Sequence, residues 1–159
     1  MKKYFIIAIM AVFGLCAHAQ QGEKAIGVNL GVAPCLEDGH SPTNFGLGVK
    51  FQYNITDPVR LEADMDYWFE NRSTSIFDIS ANAHYLVGVG KGFTIYPLAG
   101  VGYANVDYDG EGCSRFLFNL GIGGEYALSN SLTLTAEMKY QFINHFSRLP
   151  ITVGIAYHF

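Results

Sequence analysis

Glu62, Asp64 and Asp66 recur at every second position of one short stretch, between Arg60 and Glu70. Carboxylates spaced in this way could do acid–base work, one protonated and one ionised, if a substrate reached them. The other reactive side chains are dispersed. His40, His84, His145 and His158 include no two at ligand spacing on one face, so no metal centre is expected. A phosphate-binding loop and a dinucleotide fingerprint are absent, so no cofactor is expected either. Cys35 and Cys113 are the one specific pair. In an oxidising compartment they could form a disulfide that ties two loops together; two independent thiols are the other reading, because sequence does not encode their separation.

The elements that hold these residues are strands. Residues at i, i+2 and i+4 share a face only in extended chain. In Val59–Glu70 the charged side alternates with Val59, Leu61, Ala63, Met65, Tyr67 and Phe69. The same dyad with the same polarity runs through Thr43–Asn54, Leu132–Phe142 and Leu149–Phe159, and more weakly through Lys24–Pro34, Ser75–Val87, Phe93–Val106 and Arg115–Leu128. Eight antiparallel strands result. Pro97, inside the fifth, lacks an N–H and predicts a bulge or kink there. The chain also repeats: Leu47–Phe69 shifted by 73 positions lands on Leu120–Phe142, matching Leu, Gly, Tyr, Ala, Met, Tyr and Phe in turn. Tight connections at Asn54–Pro58, Gly88–Gly92 and Ser129–Ser131 alternate with mostly longer ones at Cys35–Pro42, Asn71–Thr74, Asp107–Ser114 and Ile143–Arg148.

Composition narrows the class. The formal net charge is −4, and no basic stripe is present, so nucleic acid is not an expected partner. Lys2 and Lys3, the uncharged apolar run Tyr4–Leu15 and the small-x-small site Ala17-His18-Ala19 read as a cleaved signal peptide over residues 1–19. The run is too short to cross a bilayer as a helix, which takes about 20 residues. Residues 20–159 then form one barrel domain.

A barrel can hide its apolar face inside, as a soluble lipocalin-like ligand carrier does, or turn it to lipid. Here the apolar face is continuous and uncharged over all eight strands. The opposite face mixes Lys50, Arg60, Glu62, Asp64, Asp66, Glu70, Asp78, Glu125, Glu137 and Lys139 with many glycines. Glycine on a solvated strand surface only weakens it, but in a narrow lumen it makes room for long side chains. Tyrosines and phenylalanines gather near strand ends, where interfacial girdles sit. The chain therefore reads as an all-β, eight-stranded, up-and-down transmembrane β-barrel with its charges inside. Eight strands enclose just enough space for their own side chains. Lys50, Arg60, Glu62, Asp64, Asp66, Glu125, Glu137 and Lys139 are accordingly predicted to pair as a lumen network, with Arg60 and Glu125 toward the periplasm and Glu70 and Asp78 toward the outer rim.

Over the whole mature chain, residues 20–159, the sequence resembles the small OmpA/OmpX-type outer-membrane barrels. The resemblance rests on the strand dyads, Gly121-Ile-Gly-Gly-Glu-Tyr-Ala-Leu-Ser129 and the terminal Val153-Gly-Ile-Ala-Tyr-His-Phe159. It implies residence in the cell outer membrane, contact with its lipid, and a C-terminal assembly signal in Tyr157 and Phe159 for the outer-membrane assembly machinery. It implies a monomer with a structural or surface-interaction role and no catalysis. A narrow porin-like pore is the alternative. Some lipid-modifying enzymes share this fold, with a His/Ser/Asp set at the outer rim; His40, Ser41, His145 and Ser147 are the residues here that would have to converge.

Overall fold

The structure, a computed structural model, describes residues 21–36, 43–71, 74–108, 111–144 and 146–159. Ten strand segments form one sheet: β1 (Lys24–Ala33), β2 (Asn44–Asn54), β3 (Val59–Asn71), β4 (Thr74–Tyr85), β5 (Val87–Gly90), β6 (Phe93–Tyr108), β7 (Glu111–Ala127), β8 (Leu132–Ile143), β9 (Phe146–Arg148) and β10 (Ile151–His158). Each long strand pairs antiparallel with its sequence neighbour, and β10 pairs with both β8 and β1, which closes the sheet. Closure satisfies the backbone and leaves no edge along the barrel wall, the condition for strands to cross lipid. β4 and β5 both pair with β6, and β9 and β10 both pair with β8, so the ten segments make eight staves.

The two subdivided staves have local causes. His84 pairs with Leu98 and Val87 with Ile95 in the same register, so the break at Leu86 falls opposite Tyr96 and Pro97. Pro97 cannot donate to that neighbour. Leu86 instead donates its N–H to Pro58 O at 2.6 Å. The expected bulge in the proline's own strand does not form: β6 keeps one unbroken register with β7 through Pro97. Pro150 likewise separates β9 from β10, while its carbonyl still accepts from Lys139 N at 2.9 Å. At the β5–β6 turn, Gly90, Lys91 and Gly92 all take positive φ, a left-handed path that the two glycines make cheap.

The dyad places Ile26, Val28, Leu30, Leu47, Val49, Phe51, Met65, Ile79, Met138 and Ile155 on the exposed outer surface, while Lys50, Arg60, Glu62, Asp64, Asp78, Glu137 and Lys139 are buried inside. Tyr67 packs edge-on to Phe69, and Tyr103 edge-on to Phe116, in an aromatic belt near one end. Tyr53, Tyr126, Tyr157 and Phe159 are exposed near the other, where the described residues begin and end. That end is called the lower end below. Within the barrel near the upper end, Trp68, Ile76, Leu117 and Ile143 pack with Ala33 and Ala104 into an apolar plug.

The upper connections differ from the sequence reading. Only residues 109–110 separate β6 from β7, so most of Asp107–Ser114 is paired strand, with Asp107 opposite Gly112 and Asn105 opposite Ser114. Asn105, Asp107, Gly112, Cys113 and Ser114 are all exposed. A hairpin wet on both faces has no apolar dyad to reveal it. Repeat-related segments lie four staves apart: β2–β3 and β7–β8 face one another across the lumen.

Candidate functional site

Among the described residues the ionisable side chains converge in the lumen, and the charges there are arranged in three layers. In the lowest, Arg60 on β3 donates to both oxygens of Glu125 on β7, at 2.6 and 3.2 Å. Its Nε donates to Asn54 Oδ1 at 2.8 Å. Asn54 Nδ2 in turn donates to Glu23 Oε2 at 3.2 Å, and Glu23 lies 3.4 Å from His158 Nδ1. A cavity of about 330 Å³ opens below this layer, lined in part by Glu23, Lys91, Thr94, Thr133 and His158, and it ends on the Arg60–Glu125 pair.

The middle layer is the densest. Lys50 Nζ on β2 donates to Glu137 Oε1 on β8 at 2.7 Å and lies 3.7 Å from Glu62. Tyr96 OH donates to the same Glu137 oxygen at 2.8 Å, and Gln52 Nε2 donates to Glu62 at 2.8 Å. His84 stacks on Tyr96, ring centroids 4.7 Å apart, with Nε2 3.5 Å from Glu62. Lys139 on β8 pairs with Asp64 on β3, four staves away, and Ser80 and Asn82 also donate to Asp64. Asn119 adds bonds of 3.0 and 2.9 Å to Ser80 and Asn82. Buried charges survive only when paired and hydrogen-bonded in this way.

In the upper layer, Arg148 on β9 pairs with Asp78 on β4, again four staves across. Trp68 Nε1 donates to Asp78 at 2.9 Å, the Arg148 guanidinium sits 5.1 Å over the Trp68 ring, and Arg148 Nε donates to Gln141 Oε1 at 2.5 Å. The apolar plug closes the space above. Glycines create the room: a Cβ on Gly46 would enter the Trp68 ring, one on Gly123 the Tyr96 ring, and one on Gly48 the Asp66 carboxylate.

Of the network residues read from sequence, the structure brings Lys50, Glu62, Asp64, Glu137 and Lys139 into one cluster and Arg60 and Glu125 into another. Asp66 lies beside Asp64 and Asp78 and has no cation within salt-bridge distance among the described residues. The Glu70 side chain lies outside the described set. Two functional side chains escape a sequence reading. Arg148 follows a stretch without dyad, so it reads as loop; Tyr96 alternates with Ile95 and Pro97 and so faces inward, but an uncharged phenol gives no sign of a place among the charges. Counting parity back through Pro150 would have turned Arg148 inward.

Cys35 forms an isolated bridge with Arg148, while Cys113 lies on β7 opposite Val106. No disulfide joins them. The staves of β8 and β9 lie between the two, and at about 4.8 Å per stave the gap exceeds the roughly 7 Å that a bridge tolerates. Tyr157 and Phe159 are exposed on the outer surface, with Phe159 N–H donating to Lys24 O at 2.8 Å. His40, Ser41, His145 and the segment 1–19 lie outside the described residues, so of the rim set only Ser147, paired with Phe142, can be placed.

The comparisons with known proteins agree with this geometry. Residues 6–159 match the model of the outer membrane protein β-barrel domain. No curated protein sequence matches the chain. Among solved structures it is similar to Ail, the attachment invasion locus protein of Yersinia pestis, at 18% identity and a TM-score of 0.64, covering 88% of this chain and 100% of that one. It is similar to Neisserial surface protein A at 18% identity and a TM-score of 0.66, covering 86% and 96%. OprG of Pseudomonas aeruginosa aligns at 15% identity and a TM-score of 0.58, over 88% and 97%. At such identities these likenesses speak for the fold alone. The match over nearly the whole chain, on a closed barrel with an apolar exterior, shows that this chain belongs to the outer membrane protein β-barrel domain family and resides in the outer membrane.

Proposed function

We propose that the protein is a sealed, non-catalytic outer-membrane barrel with a structural or surface-interaction role. The observation that carries this reading is the crossing of the lumen by four ion pairs: Arg60–Glu125, Lys50–Glu137, Lys139–Asp64 and Arg148–Asp78. Their crossing speaks against a continuous aqueous path, and the plug around Trp68 supports the same reading with an apolar barrier above them. Paired acids inside such a barrel have no substrate access, so Glu62, Asp64 and Asp66 do no acid–base work. Contact with the outside then falls to the upper rim, where the β6–β7 hairpin extends the wall. The names of two similar structures, an attachment invasion locus protein and a surface protein, support that direction.

On this reading residues 1–19 are removed on export, and residues 20–159 fold as a monomer with the lower end in the periplasm, where short turns belong. Tyr157 and Phe159 present the signal to the assembly machinery. Conductance across a planar bilayer is the test. A sealed barrel gives no steady current under an applied voltage. A steady ohmic conductance, altered by charge changes at Glu137 or Lys139, would establish the narrow pore instead.

A further inference from the structure

Asp66 is buried, 3% exposed, and has no cation within salt-bridge distance among the described residues, while two further carboxylates crowd it. One carboxylate oxygen from each of Asp64, Asp66 and Asp78 lies within 4.8 Å of the others. Across the sheet, Asn29, Gly48, Asp66 and Asp78 form one row of register partners on β1, β2, β3 and β4. Gly48 contributes no side chain, and the Asn29 and Asp66 Oδ1 atoms both crowd the point its Cβ would occupy. Asn29 is 2% exposed and neither amide atom has a hydrogen-bond partner; Asp78 Oδ1 is likewise buried and unpartnered. Acceptor oxygens facing one another in a dry interior are costly unless a proton or a cation lies between them.

We infer that Asp64, Asp66, Asp78 and Asn29 form a lumen site for a hard divalent cation, with Ca²⁺ the best match. The donors are three carboxylates and one amide oxygen, the ligand set of hard cations and of no soft metal. Ca²⁺ binds oxygen at about 2.3–2.6 Å in flexible cages, whereas Mg²⁺, at about 2.0–2.1 Å, demands near-octahedral geometry and keeps several of its waters, which a dry, crowded lumen does not favour. Charge points the same way. Among the described residues the buried lumen holds Lys50, Arg60, Lys139 and Arg148 against Glu62, Asp64, Asp66, Asp78, Glu125 and Glu137, so carboxylates outnumber the lysines and arginines by two. Lys139 on Asp64 and Arg148 on Asp78 flank the site and limit its affinity. Because the plug and the Arg60–Glu125 pair close both ends, the ion enters as the barrel folds.

Trp68 supplies the readout. It is the chain's single tryptophan, and it donates directly to Asp78, so it can sensitise Tb³⁺ bound in place of Ca²⁺. The full mature barrel is refolded into detergent with Tb³⁺ after chelator treatment. Expected is tryptophan-sensitised emission that saturates at one ion per chain and is lost when refolding includes excess Ca²⁺. Asp66→Asn should weaken binding roughly tenfold or more, and Asn29→Asp should tighten it, since ligand charge sets affinity at such sites. Absence of sensitised emission would overturn the site, as would emission that Asp66→Asn leaves unchanged. Should Asp66→Asn fail to fold, Asn29→Asp decides alone: weaker binding would mean that Asn29 serves Asp66 as a hydrogen-bond donor and that no cation is held.

Discussion

Arg60 on β3 grips both carboxylate oxygens of Glu125 on β7, three staves away across the lumen, and is itself only 1% exposed. The pair closes the lower cavity and ties together two strands that share no backbone hydrogen bond. Removing one member of such a pair leaves a stranded charge, whereas removing both does not. Arg60→Ala should lower stability by about 3–5 kcal/mol. Arg60→Met combined with Glu125→Leu should recover most of that loss. Urea unfolding in detergent, followed by Trp68 fluorescence, measures both; a double variant as unstable as the single one would mean that the pair's charge is not what matters.

Gly46 faces the Trp68 ring with no room for a Cβ. Gly46→Ala should therefore cost about 1–3 kcal/mol through overpacking. In a Trp68→Ala background the same substitution should cost much less, because the obstacle is gone. Heat-modifiable gel mobility, with melting temperatures for the four proteins, checks the expected non-additivity.

Val49 pairs with Met65 near mid-height on the apolar exterior, while Val89 lies beside the lower turn. Arginine at position 49 should cost about 2–4 kcal/mol, and arginine at position 89 about 0–1 kcal/mol, because the bilayer penalty falls toward its interfaces. Equal, small costs at the two sites would argue against lipid on this face.

Cys35 and Cys113 sit on staves too far apart to bridge. The mature protein should migrate identically on a gel with and without reductant, and a thiol reagent should label the exposed Cys113 without prior reduction. A mobility shift with reductant would require the upper rim to rearrange.

The architecture was legible because lipid imposes a strict rule. Every residue from Leu61 to Phe69 obeys the dyad, and the lining and exterior could be separated strand by strand. What escaped the sequence lies where that rule lapses. Ile76, Leu117 and Ile143 turn inward as a plug, since the lumen near the upper rim need not be polar. The outer part of the β6–β7 hairpin is wet on both faces and carries no alternation. Arg148 lies 70 residues from Asp78, and no local pattern announces a partner across the barrel. Pro97 signalled a disturbance, but its missing N–H is felt by the neighbouring stave and not by its own. Which strands exist follows from local periodicity; which charges meet follows from the closure of the barrel.

The inverted faces and the sealed lumen are tested together by a spin-label scan along β3 from Arg60 to Phe69, in a variant with Cys35 and Cys113 replaced by serine, reconstituted in bilayers. Labels at Leu61, Ala63, Met65, Tyr67 and Phe69 should collide with oxygen dissolved in the lipid. Those at Glu62, Asp64 and Asp66 should be immobilised and shielded both from oxygen and from a water-soluble relaxation agent. Strong collision of the inward labels with the aqueous agent would contradict a closed lumen, and loss of the two-residue alternation would contradict the barrel itself.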